Sequence, residues 1–306
     1  MSKEHRNSIF VENAEVLAND AFPGDQYVLR VQAPKLAAAA GAGSFAHLQC
    51  DASLAMRRPL SVMRVDARRG WAEFLYKVVG AGTALLAEKR AGQVLSVMGP
   101  IGVPFSAPES HPIPLLIGGG VGIPPMVFLA DQLRRRNGTF TPFVIMGSEV
   151  PFPFTTRPSQ TLVAGMPAGV IACMPLMEDW NIASRLASLQ GYPGCFDGYV
   201  TDLARAWLDA LAPERRRQVH IFACGPTPML SATAILAREY SLPCQVCLEE
   251  YMACAVGGCA GCAVAIDTPQ GPAMKRVCVD GPVFDAYSVR WPNQGPNQAP
   301  PARPSP

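Results

Sequence analysis

Short stretches of alternating apolar and polar residues run through the first hundred positions of the chain. They lie at Tyr27 to Ala33, Leu60 to Asp66, Trp71 to Val79 and Val94 to Met98, with glycine and proline between them, as in FPGDQ and MGPIG. Alternation with period two, broken by frequent turn residues, is typical of antiparallel strands. We therefore predict a β domain over residues 8–108, folded as a small barrel or sandwich.

Beyond this region strands and helices are predicted in alternation. The apolar run Pro114–Ile117 precedes a glycine-rich loop, an amphipathic segment that ends in Arg134, Arg135 and Arg136, and a second apolar run, Pro142–Met146. Strand, helix and strand of these lengths indicate a βαβ unit with a parallel sheet. Further strands are expected at Gly169–Met174 and Val219–Ala223, and further helices near Thr201–Leu211 and Thr227–Tyr240. We assign residues 109–242 to this α/β domain.

The last part of the chain has an unusual composition. A strand at Gln245–Leu248 precedes ACAVGGCAGCAVAI and MKRVCVDGPVF, a loop rich in glycine and cysteine followed by a short strand. We predict a small module over residues 243–290, too small to fold readily without a metal or a covalent staple. Residues 291–306, rich in proline, asparagine and glutamine, are predicted to be a disordered tail.

Composition and charge exclude several classes of partner. Of the 306 residues, 49% are hydrophobic and only 16% are charged, and the formal net charge is +2. Such a chain is not a polycation, which argues against nucleic acid and acidic lipid as partners. The long apolar run Ile113–Ala130 contains four glycines and two prolines in its middle, so it indicates strand, loop and helix and not a membrane span. The start, MSKEHRNSIF, lacks the features of a secretory signal, and we expect a cytoplasmic protein.

Ten cysteines are present, and six of them lie between Cys244 and Cys278. Clustered cysteines in a reducing compartment are more often metal ligands or catalytic groups than disulfides. Four follow the spacing C-x4-C-x2-C-x15-C, which matches plant-type [2Fe-2S] proteins at its first three ligands: Cys254, Cys259, Cys262 and Cys278. Small residues between them would let backbone N–H groups point at the sulfurs. A zinc site is the alternative, although zinc usually takes paired C-x2-C knuckles. Cys244 and Cys247 are interpreted as core residues.

The glycine-rich loop is the main candidate for a phosphate-binding element. Gly118, Gly119, Gly120 and Gly122 follow a predicted strand and open a predicted helix, where a tight turn and free N–H groups suit a pyrophosphate. Proline stands where the dinucleotide fingerprint has its third glycine, so a structural turn is the alternative.

Three segments of the β domain are candidates for a flavin site. Arg58-Pro59-Leu60-Ser61 opens one strand, Leu75-Tyr76-Lys77 lies in the next, and Gly82-Thr83 begins a short helical stretch that runs to Arg90. An arginine and a hydroxyl near a glycine turn suit a phosphate, and a tyrosine suits a flat ring with a polar edge. Taken singly, each could be a surface arginine, a helix cap or a core tyrosine.

The order of these motifs resembles a known superfamily. RPLS, LYK, GT, MGPIGVPF, IGGGVGIPP and ACGPTPML occur as in the ferredoxin-NADP reductase superfamily, and CLEEYMACAVGGCAGC with KRVCVDGPVF resembles one branch of it, the electron-transfer subunits of two-subunit dihydroorotate dehydrogenases. The resemblance covers residues 8–288. It implies a six-stranded antiparallel barrel that binds FAD, a parallel-sheet domain that binds NAD, and a C-terminal [2Fe-2S] module.

The resemblance also implies residue roles. The flavin and its phosphates would be bound by Arg58, Pro59, Leu60, Ser61, Leu75, Tyr76, Lys77, Gly82 and Thr83. The nicotinamide dinucleotide would be bound by Gly118, Gly119, Gly120, Gly122, Cys224, Gly225 and Pro226. The cluster would be held by Cys254, Cys259, Cys262 and Cys278. Lys77 stands where the family usually has arginine, and the apolar stretch Val150–Phe154 replaces charged residues, which leaves the choice between NAD and NADP open.

The resulting hypothesis is an electron relay of pyrimidine biosynthesis. A flavin-containing dihydroorotate dehydrogenase subunit, in a heterotetramer, would supply electrons that pass through the cluster and FAD to NAD+. Because cofactors perform this chemistry, no catalytic side chain is predicted, and His5, His47, His111 and His220 are interpreted as surface or satisfied core residues. One alternative is the small subunit of another NAD(P)H oxidoreductase, linked to ferredoxin or sulfide. The other is a zinc-stapled binding module without redox activity.

Overall fold

The computed structural model describes residues 8–136 and 138–292. A closed antiparallel barrel forms the first part, with strands β1 (Phe10–Phe22), β2 (Gln26–Gln32), β3 (Phe45–Gln49), β4 (Arg58–Asp66), β5 (Trp71–Lys77) and β6 (Val94–Ile101). Their order around the barrel is β1-β2-β5-β4-β3-β6. Helices α1 (Pro34–Ala39) and α2 (Ala81–Ala87) lie in two of its connections. The predicted β domain is therefore a barrel, as the resemblance implied.

Two of these strands carry no clear signal in the sequence. In β1 only Ala14 and Val16 are buried, because most of the strand faces outward, so the apolar run that marks a strand is missing. In β3 four consecutive residues are buried, since the barrel covers one face and the rest of the molecule covers the other. Alternation fails in a strand that is buried on both faces.

A six-stranded sheet forms the second part. Its parallel strands are β7 (Ile113–Gly119), β8 (Phe143–Gly147), β11 (Ala183–Ala187), β12 (Val219–Cys224) and β13 (Cys244–Cys247), and the antiparallel strand β16 (Val283–Asp285) lies at one edge. The strand order is β11-β8-β7-β12-β13-β16. Helix α3 (Ile123–Arg134) contributes to the hydrophobic core shared with the barrel, whereas α5 (Val200–Ala210) and α7 (Thr227–Glu239) contribute to a second core. The sheet is covered on both faces, as parallel sheets require.

The strand predicted at Gly169–Met174 is not part of this sheet. Only β10 (Ala172–Cys173) forms there, and it pairs antiparallel with β9 (Arg157–Pro158) outside the sheet. Helix α4 (Pro175–Asp179) follows, and the sheet takes β11 instead. This strand escaped prediction because Ser184 and the buried Arg185 interrupt its apolar run.

The cysteine-rich segment is anchored to the sheet at both ends. A hairpin of β14 (Ala263–Thr268) and β15 (Gly271–Arg276) follows the cysteine loop, and β16 (Val283–Asp285) returns to pair antiparallel with β13. Because β13 pairs with β12, it belongs to the parallel sheet and not to the predicted module that begins at residue 243. Helix α6 (Pro213–Arg216) completes the fold.

The predicted tail, 291–306, lies outside the described residues except for its first two positions. Trp291 is buried, and its Nε1 donates a hydrogen bond to the carbonyl of Ala286. The packed part of the chain thus continues past the predicted start of the tail. Among the described residues, no helix combines the length and apolar content needed to cross a bilayer.

Candidate functional site

The strands that carry the predicted flavin motifs separate where those motifs lie. β4 and β5 pair from Val62 opposite Phe74 to Asp66 opposite Trp71. Before Val62, β4 pairs only with β3, and after Phe74, β5 pairs only with β2. The wall of the barrel is therefore open between Arg58–Ser61 and Leu75–Lys77. Unpaired backbone groups at such an edge need partners, which water or a ligand can supply.

Helix α2 brings the third flavin motif to this opening. A Cβ placed on Gly82 would lie 2.7 Å from Arg58 Nε, so the guanidinium rests directly on the glycine. The hydroxyl of Thr83 accepts hydrogen bonds from the backbone N–H groups of Val79 and Gly80, at 3.0 and 3.3 Å. A positive charge and a helix start meet here, which suits a phosphate. The Thr83 hydroxyl is thus occupied in holding the turn at the start of α2.

The side chains of the LYK motif are less available than the resemblance implied. Leu75 and Tyr76 are 2% and 1% exposed. The Tyr76 hydroxyl donates to Asn19 Oδ1 at 3.1 Å, and its ring stacks on Tyr27 with centroids 5.4 Å apart. Burial raises the pKa of Tyr76 far above its ordinary value. Only Lys77 is half-exposed, so Leu75 and Tyr76 can border the opening through their backbone alone.

The two predicted nicotinamide motifs are in direct contact. Gly118 at the end of β7 is opposite Cys224 at the end of β12. A Cβ on Gly122 would lie 2.5 Å from Gly225 N and closer still to the carbonyl of Cys224. Glycine at 122 is therefore required by a close approach of two backbones. Gly120 has φ +54° and open space beside it.

This contact lies where dinucleotides bind in open α/β sheets. From β7 the chain continues on one side to β8 and β11, and then returns to the other side as β12. Ligands of such sheets bind at this switch point, outside the carboxyl ends of the strands. The turn at Gly120–Gly122 also contacts β5, so the glycine motifs adjoin the opening in the barrel. Sequence reasoning missed Met229, whose Sδ would lie 2.5 Å from a Cβ on Gly119; it is the last residue of ACGPTPM.

Cys224 lies in a pair of thiols. It is opposite Cys247 of β13, and both side chains are buried. The hydrogen bond with Cys247, together with burial, raises the pKa of Cys224 well above its ordinary value. The Cys247 Sγ contacts the carbonyl of Gly43 in the barrel at 3.8 Å. Cys224 is thus a protonated thiol beside the glycine turn. The buried positions of Cys244 and Cys247 agree with their interpretation as core residues.

The four cysteines of the predicted cluster site form two adjoining pairs. The Cys254 and Cys259 side chains interact, Cys262 and Cys278 interact, and the charges of Cys254 and Cys278 influence each other. Cys262 and Cys278 are buried, whereas Cys259 is exposed. In the described ranges no three His, Cys, Asp or Glu side chains converge as ligands of a single metal ion. Two pairs of thiols suit a cluster with two irons better than one tetrahedral zinc.

Backbone amides surround these sulfurs. The N–H of Cys259 points at Cys254 Sγ with N···S 3.4 Å, and the N–H of Gly261 points at Cys259 Sγ at 3.4 Å. Burial would raise the pKa of Cys254, but the amides of Val256 and its neighbours lower it to about 7. Burial raises the pKa of Cys278 to about 12. Amide donors stabilise thiolates, so the loop favours negatively charged sulfur at Cys254.

The buried histidines differ from their interpretation as satisfied core residues. Neither ring nitrogen of His47, which is 1% exposed, has a hydrogen-bond partner. His220 has no partner at Nδ1, and burial lowers its pKa to about 3. His111 is half-buried and bonds Ser110 Oγ at 3.0 Å. His5 lies outside the described residues.

Solved structures with this fold define its class. A chain of the NADH-dependent reduced ferredoxin-NADP oxidoreductase matches with a TM-score of 0.72 and 26% identity, over 92% of this chain and 90% of that one. The ferredoxin reductase of carbazole 1,9a-dioxygenase matches in fold, with a TM-score of 0.59 and 21% identity over 77% of this chain and 67% of that one. The molecule is an oxidoreductase subunit with the architecture of the ferredoxin-NADP reductase superfamily.

Sequence relatives identify the family within this class. The model for the iron-sulfur cluster binding domain of dihydroorotate dehydrogenase B matches residues 249–290. The electron transfer subunit of dihydroorotate dehydrogenase B (NAD(+)) from Desulforamulus reducens is 30% identical over 92% of this chain and 98% of its own length. The subunit of the same name from Geobacillus kaustophilus is 35% identical over 81% of this chain and 86% of its own length. The chain belongs to the family of dihydroorotate dehydrogenase B electron transfer subunits.

Proposed function

We propose that this chain carries electrons from a dihydroorotate-oxidising partner to NAD+ through a [2Fe-2S] cluster and FAD. The observation that carries the proposal is the adjacency of the three candidate sites. The opening between β4 and β5 adjoins the glycine turn on one side. On the other side, β3 pairs with β4, and Phe45 of β3 shares a hydrophobic core with Cys262 and Cys278. Family membership supports the same function.

Each candidate site fits the group assigned to it. Arg58 would neutralise a flavin phosphate, and the separated strands offer backbone groups to the rest of the molecule. Gly120 and Gly122 let a dinucleotide approach the sheet at the switch point. Cys254, Cys259, Cys262 and Cys278 would each give one thiolate to the cluster. FAD held by these residues would supply the conversion between the single electrons of a cluster and the two-electron hydride of a nicotinamide.

We propose that the partner docks over the cysteine loop. Cys259 is exposed, and around it Tyr251 is 94% and Val256 43% exposed. Exposed apolar residues beside a cluster suit contact with another subunit. The partner would be the flavin-containing dihydroorotate dehydrogenase subunit, in a cytoplasmic heterotetramer of pyrimidine biosynthesis. All ten cysteines are free, which agrees with a reducing compartment.

A second candidate function keeps the cofactors and changes the partner. The match to a chain of the NADH-dependent reduced ferredoxin-NADP oxidoreductase covers 92% of this chain. In this alternative, the chain is the small subunit of another NAD(P)H oxidoreductase, linked to ferredoxin or sulfide. The zinc-stapled module is disfavoured by the paired thiols and by the iron-sulfur family match.

Isolation of the native complex tests the proposal. We expect a second flavoprotein subunit to copurify and the complex to form NADH from dihydroorotate and NAD+, an activity absent from this chain alone. Cys262→Ser should abolish cluster absorbance and dihydroorotate-driven NADH formation, whereas the control Cys195→Ser, a half-buried thiol outside the site, should change neither. A large subunit of another chemistry would refute the assignment, and a colourless protein would refute redox function altogether.

A further inference from the structure

Among the described residues, no other histidine or charged side chain is as deeply buried as His47, and the proposed function leaves it without a role. It lies in β3, where Ala46 and Leu48 belong to the core shared with the barrel interior, whereas Phe45 belongs to the core that includes the cysteine module. Side chains alternate along a strand, so His47 shares the outer face of the barrel with Phe45. Only 1% of its surface is exposed, although it is polar.

The neighbours of His47 belong to two of the proposed cofactor sites. Its partner across the strand pair is Pro59, the second residue of the flavin motif. Arg57, beside that motif, donates from Nη1 to the His47 carbonyl at 3.1 Å and to the Ser96 carbonyl at 2.8 Å. The backbone of Met252, two residues before Cys254, lies close enough to the ring to favour its protonated form.

The ring nitrogens of His47 have no hydrogen-bond partner. Burial and then the charge of Arg57 lower the pKa of His47 to about 4, so the ring is neutral and has one N–H donor and one acceptor. A buried donor without an acceptor costs free energy, and native structures almost always provide one. Backbone groups of Arg57 and Met252 lie near the ring, and Met252 packs against the hydrophobic core that contains Phe45, on the side of the cysteine loop.

We propose that His47 is a positioning residue that hydrogen-bonds the backbone at Met252 and so fixes the cysteine loop against the flavin-binding strand. This inference rests on the proposed function. The linkage runs from Pro59 to His47 across the strand pair, and from His47 through Met252 to Cys254. This linkage fixes the distance between the proposed flavin site and the proposed cluster site, and that distance controls single-electron transfer between them.

Two variants separate the hydrogen bond from packing. His47→Leu keeps a side chain of similar bulk and removes the donor, and His47→Gln retains an N–H donor. The matched control is His111→Leu, at a half-buried histidine far from Met252 along the chain. The purified chain with its cofactors is compared by amide hydrogen exchange of residues 250–262 and by the rate at which NADH-reduced flavin passes electrons to the cluster.

We expect His47→Leu to raise exchange in this segment about three- to tenfold, the effect of losing one hydrogen bond. Electron transfer to the cluster should slow while flavin reduction by NADH stays unchanged. His47→Gln should restore both readouts, and His111→Leu should alter neither. The proposal would be overturned if residues 250–262 of His47→Leu exchanged at the wild-type rate. It would also be overturned if His47→Gln were as impaired as His47→Leu in both readouts. Hydrogen exchange needs no partner and no turnover, so failure of the proposed function would be visible separately as a missing flavin or cluster spectrum.

Discussion

Replacing Gly122 by alanine tests the close approach of the two glycine motifs. The new Cβ would lie 2.5 Å from Gly225 N and closer to the Cys224 carbonyl group, separations that real Cβ atoms do not adopt. The obstructing atoms belong to the backbone at the end of a central strand, so no side chain can rotate away. Overpacking of this kind costs about 1–3 kcal/mol, and we expect the upper end.

This cost converts to a measurable change in thermal stability. At about 2–4 °C per kcal/mol, Gly122→Ala should lower Tm by about 6–12 °C. The KM for NADH in flavin-dependent ferricyanide reduction should also rise, because the two loops must separate where the dinucleotide is proposed to bind.

Two neighbouring glycines provide controls for this variant. Gly80→Ala meets nothing within 4 Å and has an extended φ, so its stability should match the wild type. Gly120→Ala also meets nothing, but its φ of +54° costs about 1–2 kcal/mol. We expect Tm to be highest for Gly80→Ala, lower for Gly120→Ala and lowest for Gly122→Ala. A Tm for Gly122→Ala equal to that of Gly80→Ala would show that the motifs do not meet as described.

Three further predictions concern stability. Glu73 is buried beside Arg30 and Arg64, 2.5 and 3.3 Å from its carboxylate oxygens, so Glu73→Gln should cost about 1–3 kcal/mol in urea unfolding; an unchanged midpoint would contradict this ion pair. Burial lowers the pKa of His220 to about 3, so the unfolded chain binds a proton that the folded chain does not between pH 6.5 and 3. Stability should be highest above pH 6.5 and fall with decreasing pH by at most about 1.4 kcal/mol per unit for this group; urea unfolding at pH 7 and 5 should show a smaller loss in His220→Phe, and an equal loss would refute the assignment. The exposed Ala260 has φ +53°, and Ala260→Gly should raise Tm by relieving about 1 kcal/mol of strain; a lower Tm would be the opposite outcome.

Local patterns predicted most of the regular elements. The expected helix at Thr227–Tyr240 forms as α7, and the helix near Thr201–Leu211 forms as α5 one residue earlier. Both helices were predicted correctly because the apolar stripe or the strong terminal signal that marks each helix lies within that helix. The failures, β1, β3 and β11, are strands whose burial depends on remote partners. Closure of the barrel determines which residues of β1 are buried, and β11 contains a buried arginine. Neither feature leaves a local pattern in the sequence.

The candidate site was predicted unevenly for the same reason. Cysteine spacing alone identified Cys254, Cys259, Cys262 and Cys278, because ligands of one cluster must come from a compact loop with small residues. The glycine motifs were recognised by their order, and the contact between Gly122 and Cys224 became visible only in three dimensions. Tyr76 was assigned to the flavin from its position in the motif, but its hydroxyl is bound to Asn19 of β1, a strand that the sequence did not reveal.

The sequence by itself determined the three kinds of structural unit and the membership of a redox family, and it predicts the four sulfur ligands, because each depends on spacing within a short segment. Tertiary structure decided how the units meet. The gap between β4 and β5 arises from strand pairing, the contact of two glycine turns arises from strand order, and the burial of His47 between barrel and cysteine loop arises from domain packing. These features join residues far apart in the chain, and a linear pattern records only what neighbouring residues share.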